Sequence, residues 1–184
     1  MEAFLVATGL VALGEIGDKT QLLAIVLAAR FRQPRPIIAG IFVATLLNHA
    51  LAGVLGAGIA QWLGPQWLRW LLGLSFLAMA AWLLVPDKVG AVDAGPPRLG
   101  VFVTTAIAFF IAEMGDKTQI ATVALAARYP DLLAVVVGTT LGMMLANVPA
   151  VLLGERIARW LPMRLAHAIG AALFAALGLL TLLA

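Results

Sequence analysis

The chain has 184 residues, of which 63% are hydrophobic and 11% charged, and its mean hydropathy is +1.05. A soluble domain carries about a quarter charged residues, so this apolar excess has no aqueous explanation and the expected solvent is lipid. The net charge of +3 and the pI near 10.0 resemble a nucleic-acid signal, but the basic residues fall in short connections between apolar runs, where membrane topology accounts for them. No nucleic-acid partner is expected. The absence of cysteine excludes disulfides, thiolate metal sites and thiol catalysis.

The start, Met1-Glu2-Ala3-Phe4, has no basic region and is not read as a cleaved signal peptide. A helix crossing a bilayer needs about 20 apolar residues. Six segments qualify in chain order, at about 3–29, 36–61, 67–85, 99–127, 132–158 and 164–183. Prolines punctuate the junctions: Pro34 and Pro36, Pro65, Pro86, Pro96 and Pro97, Pro130 and Pro162. Pro149 lies inside the fifth segment and is expected to kink it, which lipid-embedded helices tolerate when neighbours satisfy the freed carbonyl. The Gly/Pro-rich stretch 86–98 is the one true linker. It divides the chain into 1–85 and 99–184.

These two parts are repeats. Residues 15–30 read EIGDKTQLLAIVLAAR and residues 113–128 read EMGDKTQIATVALAAR, with ten of sixteen positions identical at an offset of 98. The same offset pairs Gly40 with Gly138, Gly56 with Gly154, and Trp62-Leu63 with Trp160-Leu161. An odd number of crossings per repeat makes the second copy enter the membrane from the opposite side. The fold expected is therefore an all-α integral membrane protein, six transmembrane helices forming two inverted three-helix repeats.

Charge counting sets the orientation. Arg30, Arg32, Arg35, Lys88, Arg98, Arg156, Arg159 and Arg164 fall in the loops after the first, third and fifth segments. Only Arg69 and Arg128 fall on the other side. The positive-inside rule then puts both termini outside and the 86–98 linker in the cytoplasm. Trp62, Trp67 and Trp70 are expected in the outer aromatic belt, and Trp82 and Trp160 near the inner one.

The chemistry sits where lipid should forbid it. Glu15, Asp18 and Lys19 fall in the middle of the first segment, and Glu113, Asp116 and Lys117 in the middle of the fourth. Each charge at the bilayer centre costs roughly 2.5–3.5 kcal/mol on insertion scales, so such residues are functional candidates by default. Glu15 and Asp18 are three apart, as are Glu113 and Asp116, so each pair is expected on one helix face. Inverted symmetry can bring the faces together as a four-carboxylate cage, with Thr20, Thr118, Gln21 and Gln119 as neutral oxygen donors. An all-oxygen set suits Mg²⁺, Ca²⁺ or Mn²⁺.

Gly17 and Gly115, with Gly14 beside the first, let the helix unwind or let another helix approach. Interrupted helices at mid-membrane point to a transporter site. Lys19 and Lys117 serve either as internal counter-charges or as structural pairs, and Lys19 is within helical reach of Glu15. Gln21 and Gln119 are open between ligand and interhelical contact. Thr45, Asn48 and His49, then Thr139, Thr140 and Asn147, add polar groups at depth in the second and fifth segments. His49 and Asn147 are repeat equivalents. Asn48, His49 and Asn147 are secondary site candidates, with His49 read first as a helix contact. His167 is read as interfacial, Arg30 and Arg128 as topology anchors. Four clustered carboxylates repel one another, so protons and a cation compete for them as a coupled set.

The twin Glu-x-Gly-Asp-Lys-Thr motif, one per repeat, resembles the Gdt-type manganese/calcium transporters, which include the Golgi cation/proton antiporter and bacterial manganese exporters. The resemblance covers nearly the whole chain. It implies export of Mn²⁺, or Ca²⁺, in exchange for protons, with Glu15, Asp18, Glu113 and Asp116 as the functional acids. It implies no cofactor beyond the transported ion. The implied setting is a lipid bilayer, in bacteria the inner membrane, with the oligomeric state open. Two other readings exist. An exporter of cationic amino acids would use the same carboxylates on an ammonium group. An intramembrane aspartyl protease would pair Asp18 with Asp116, but such enzymes carry Gly-x-Gly-Asp and positions 15 and 113 are glutamates. No enzymatic activity is expected.

Overall fold

The computed structural model describes residues 1–85, 99–154 and 163–183. Within these residues the chain forms α1 (Glu2–Glu15), α2 (Lys19–Phe31), α3 (Pro34–Trp62), α4 (Pro65–Leu83), α5 (Gly100–Glu113), α6 (Lys117–Arg128), α7 (Leu132–Leu153) and α8 (Met163–Leu183). No strand occurs among them. The expected 86–98 linker, the end of the fifth segment and Trp160 lie outside the described residues.

Two expected continuous helices are each split. The first segment breaks between α1 and α2, the fourth between α5 and α6. The cause is local and the same in both. Gly17 has φ +81° and Gly115 φ +75°, in the left-handed region where a side chain is costly. Ile16 and Met114 before them are extended (ψ 113° and 120°). Asp18 and Asp116 after them are extended too, as N-caps of α2 and α6. Glu15 and Asp18 are therefore not on one helix face. Glu15 ends one half-helix and Asp18 begins the next, and Glu113 and Asp116 repeat the arrangement.

Among the described residues three helices are individually long and apolar enough to cross a membrane: α3, α7 and α8. α3, at 29 residues, is roughly 44 Å long at 1.5 Å per residue, well beyond the hydrocarbon thickness. Prolines start α3 and α4, where a missing N–H costs nothing. Pro149 lies within α7, which continues to Leu153.

The core is made by exchange between the two parts of the sequence. α1 packs along α7, α3 packs on both α5 and α6, and α4 pairs with α8. Glycines make the close approaches. A Cβ on Gly40 would lie 2.8 Å from the Phe102 carbonyl of α5, and one on Gly138 would lie 2.7 Å from the Phe4 carbonyl of α1. Gly138 is the equivalent of Gly40 and Phe102 of Phe4, so one contact is made twice. Small residues of this kind let lipid-embedded helices touch backbone to backbone. Phe76 and Phe174 meet between α4 and α8 at 6.3 Å between ring centroids. The outer face is apolar, with Leu51, Val54, Leu55, Leu152 and Leu180 exposed, and Trp62, Trp67 and Trp70 are exposed around the α3–α4 turn.

Candidate cation-binding site

Both helix breaks turn toward one buried centre. Glu15, Asp18, Glu113, Asp116, Thr20, Gln21 and Thr118 are all buried. Carboxylate oxygens of Glu15, Glu113 and Asp116 lie within 4.8 Å of one another. Opposed ligands around an ion with 2.0–2.6 Å metal–oxygen bonds stand roughly 4–5 Å apart, so the three acids can share one cation. Three of the four expected acids are thus gathered at one point.

The fourth acid has its own partner, and the pairing crosses the repeats. Lys117 Nζ is 3.2 Å from Asp18 Oδ1, and Lys19 Nζ is 2.9 Å from Asp116 Oδ1. The expected reach from Lys19 back to Glu15 is not what the ion pairs use, because the break turns Lys19 away from the α1 axis. The two pairs are also unequal. Lys117 is 4% exposed and its Asp18 partner 1%, whereas Lys19 is 33% exposed.

Each N-cap aspartate would ordinarily spend its carboxylate on the first N–H groups of its helix. Neither Asp18 nor Asp116 makes that hydrogen bond. Their carboxylates reach across the interface instead. The glutamates are held by hydroxyls one turn beyond the break. Thr20 Oγ1 donates to Glu15 Oε2 at 2.5 Å, and Thr118 Oγ1 to Glu113 Oε2 at 2.9 Å.

The glutamines staple the breaks. The Gly17 N–H donates to Gln21 Oε1 at 2.9 Å, and the Gly115 N–H to Gln119 Oε1 at 2.7 Å. Gln21 Nε2 then donates across to the Ala146 carbonyl of α7 at 3.1 Å. Gln119 Nε2 donates across to Asn48 Oδ1 of α3. Positions 48 and 146 are again 98 apart. Asn48 closes the chain by donating to the Phe110 carbonyl at 3.1 Å. An unwound stretch in lipid must satisfy its backbone inside the protein, and these amides do so.

The secondary candidates diverge. His49 is fully buried, with Nε2 3.9 Å from Glu113 Oε2. Asn147 turns its amide NH₂ back to the Met143 carbonyl of its own helix at 3.1 Å. Two further contacts were not legible from residue types. His167, read as interfacial, places Nε2 2.6 Å from the Ile16 carbonyl, and Met163 lies against Gly17. The signal available was the repeat offset, which aligns His167 with Arg69 at a polar register of the third segment.

With both lysines charged, four acids and two lysines give a formal charge of 2 − 4 = −2. At each break the negative dipole end of one half-helix faces the positive end of the next, so the side chains set the sign of the centre. An electronegative, oxygen-lined centre at two helix breaks, inside an apolar bundle, belongs to an integral membrane transporter of cations and not to an enzyme. The family model described as "Divalent cation/proton antiporter GDT1" matches residues 3–91 and 101–184, and the chain belongs to that family. A Vibrio cholerae protein named "Putative manganese exporter" is 53% identical over 182 residues, covering 98% of this chain and 90% of its own. A GDT1-like protein of Synechocystis is 29% identical over 195 residues, covering 95% and 93%. GDT1-like protein 5 of Arabidopsis thaliana is 26% identical over 221 residues, covering 100% and 96%. No solved structure matches the chain.

Proposed function

We propose that the protein exports Mn²⁺ in exchange for protons, both binding at the Glu15, Glu113 and Asp116 centre. The observation that carries the reading is the convergence of three buried carboxylates within 4.8 Å at two unwound helix breaks. A residual charge of −2 is neutralised by one divalent cation or by two protons. Each form is tolerable in lipid, and the form carrying neither is not. Exchange follows because the carrier crosses between its two orientations only when loaded. Asp18, Thr20 and Thr118 hold the geometry beside the ion, Gln21 and Gln119 keep the breaks open, and Lys19 and Lys117 set the charge. The name of the Vibrio cholerae relative supports manganese. Ca²⁺ has the same oxygen chemistry and is the second ion to test.

In this reading the chain crosses the membrane six times as two inverted repeats, 1–85 and 99–184. α1 with α2 and α5 with α6 make one broken crossing each. The twice-made contact of Gly40 with Phe102 and Gly138 with Phe4 supports the two-fold relation. The basic-residue bias supports termini outside the cytoplasm, in a bacterial inner membrane.

The test is Mn²⁺ flux in proteoliposomes under an imposed pH gradient, with Ca²⁺, Mg²⁺ and arginine as competitors. Gradient-driven Mn²⁺ flux that arginine leaves unchanged is expected. Arginine transport without Mn²⁺ transport would favour an amino-acid exporter instead.

A further inference from the structure

The two breaks are alike in backbone and unlike in cover. At the first, α8 closes in. A Cβ on Gly17 would lie 2.5 Å from Met163 Sδ, and His167 Nε2 sits 2.6 Å from the Ile16 carbonyl. That carbonyl belongs to the unwound stretch, so His167 supplies the donor its helix has lost. At the second break nothing among the described residues lies within 4 Å of a Cβ on Gly115, and Met114 is 61% exposed.

The repeat offset names the missing counterpart. Arg69 on α4 is the equivalent of His167, and Met114 of Ile16. Arg69 Nε is buried without a hydrogen-bond partner among the described residues. Its helix stands off: α8 packs on α1, while α4 packs on α6 and makes little contact with α5. A cavity of about 150 Å³ lined by Leu71, Ser75, Ile120 and Val123 lies along the seam where α4 meets α6. The two breaks therefore share a backbone and differ in the helix that covers them.

We propose that His167 and Arg69 are alternating latches, His167 holding the first break closed in this conformation and Arg69 closing the second break in the opposite one. In the opposite conformation α8 withdraws, the Ile16 carbonyl opens to water, and the Arg69 guanidinium donates to the Met114 carbonyl. A guanidinium has five donors and no acceptor, which suits a bare carbonyl at an unwound helix. Both are positioning residues, since neither touches the acids that bind the ion. With the cytoplasmic linker placed as above, α8 begins on the cytoplasmic side, and the conformation seen is closed there and open outward. The inference rests on the exchange reading, which requires the centre to face the two sides in turn.

The test uses the absence of cysteine. Ile16→Cys and Met114→Cys report the two breaks through their reaction rates with an impermeant maleimide applied to each side of proteoliposomes. In the parent protein Met114→Cys should react fast and Ile16→Cys slowly. His167→Ala should raise the Ile16→Cys rate about fivefold and lower the Met114→Cys rate, the population shift one hydrogen bond controls. His167→Gln keeps a donor and should restore the parent rates. Arg69→Ala should shift the rates the other way. Unchanged rates in His167→Ala, or a Gln variant that behaves like Ala, overturn the proposal. If His167→Ala fails to fold, Met163→Ala replaces it: it thins the cover on Gly17 and should speed Ile16→Cys alone, and no change overturns the closure. These rates are read without Mn²⁺ or a pH gradient. Failure of the acid variants to lose transport would overturn the exchange reading and leave the labelling result standing.

Discussion

Asp18→Asn should unfold the protein more readily than Asp116→Asn, although the two positions are repeat equivalents. The reason is the unequal burial of their lysine partners. Lys117 is 4% exposed and 3.2 Å from Asp18, while Lys19 is 33% exposed and 2.9 Å from Asp116. Removing one partner of a buried pair leaves an uncompensated charge and costs about 3–5 kcal/mol. Removing one partner of a partly exposed pair costs about 1 kcal/mol or less, because the lysine reaches water. For a chain of this size about 2–4 °C in Tm follows each kcal/mol. Asp18→Asn should then fall by at least about 6 °C, and Asp116→Asn by about 4 °C at most. The assay is thermal unfolding in detergent, followed by tryptophan fluorescence. The double variant Asp18→Asn with Lys117→Met closes a mutant cycle. It removes both charges and should recover most of the lost stability without recovering transport. If the double variant is as unstable as Asp18→Asn alone, or if the two Asn variants melt together, the account of the crossed pairs is wrong.

Glu15→Gln, Glu113→Gln and Asp116→Asn should each abolish Mn²⁺ flux, since each removes a full ligand charge; flux above about a hundredth of the parent rate in any of them would count against the shared centre. Thr20→Ala and Thr118→Ala should slow flux by about tenfold, the worth of one hydrogen bond to a carboxylate, measured as initial rates at saturating Mn²⁺. Gly17→Ala should be the more damaging of the two glycine changes. It strains a positive φ and also meets Met163, whereas Gly115→Ala carries the strain alone, about 1–2 kcal/mol, which a Tm comparison resolves. Asp93→Cys should react with an impermeant reagent only after cells are permeabilised, the outcome expected from the proposed orientation and its basic-residue bias.

The sequence made the chemistry more legible than the geometry. The repeat, the acids at mid-segment and the lipid solvent were plain because charge in an apolar run has few explanations. The breaks were foreshadowed by Gly17 and Gly115, yet helical spacing still suggested that Glu15 and Asp18 share a face. Spacing arguments fail where φ turns positive, and only the backbone shows that Asp18 starts a new helix. The crossed pairs were hidden for the same reason: Lys19 looks helical with Glu15 until the break redirects it to Asp116. The glutamines fell between two readings because a ligand and a staple need the same amide. The structure gives each amide oxygen a glycine N–H and each NH₂ group a neighbouring helix. The contact of His167 was not foreseen because its partner is a backbone carbonyl, which no side-chain pattern can announce.

The most direct test of exchange at a shared centre is to let manganese drive protons. Proteoliposomes enclosing a pH-sensitive dye, with equal pH on both sides, receive Mn²⁺ on one side only. The account predicts that Mn²⁺ entry raises the internal pH as protons leave, and that the parent protein does this while Glu113→Gln does not. Mn²⁺ entry with no change in internal pH, or the same alkalinisation in Glu113→Gln, would contradict it.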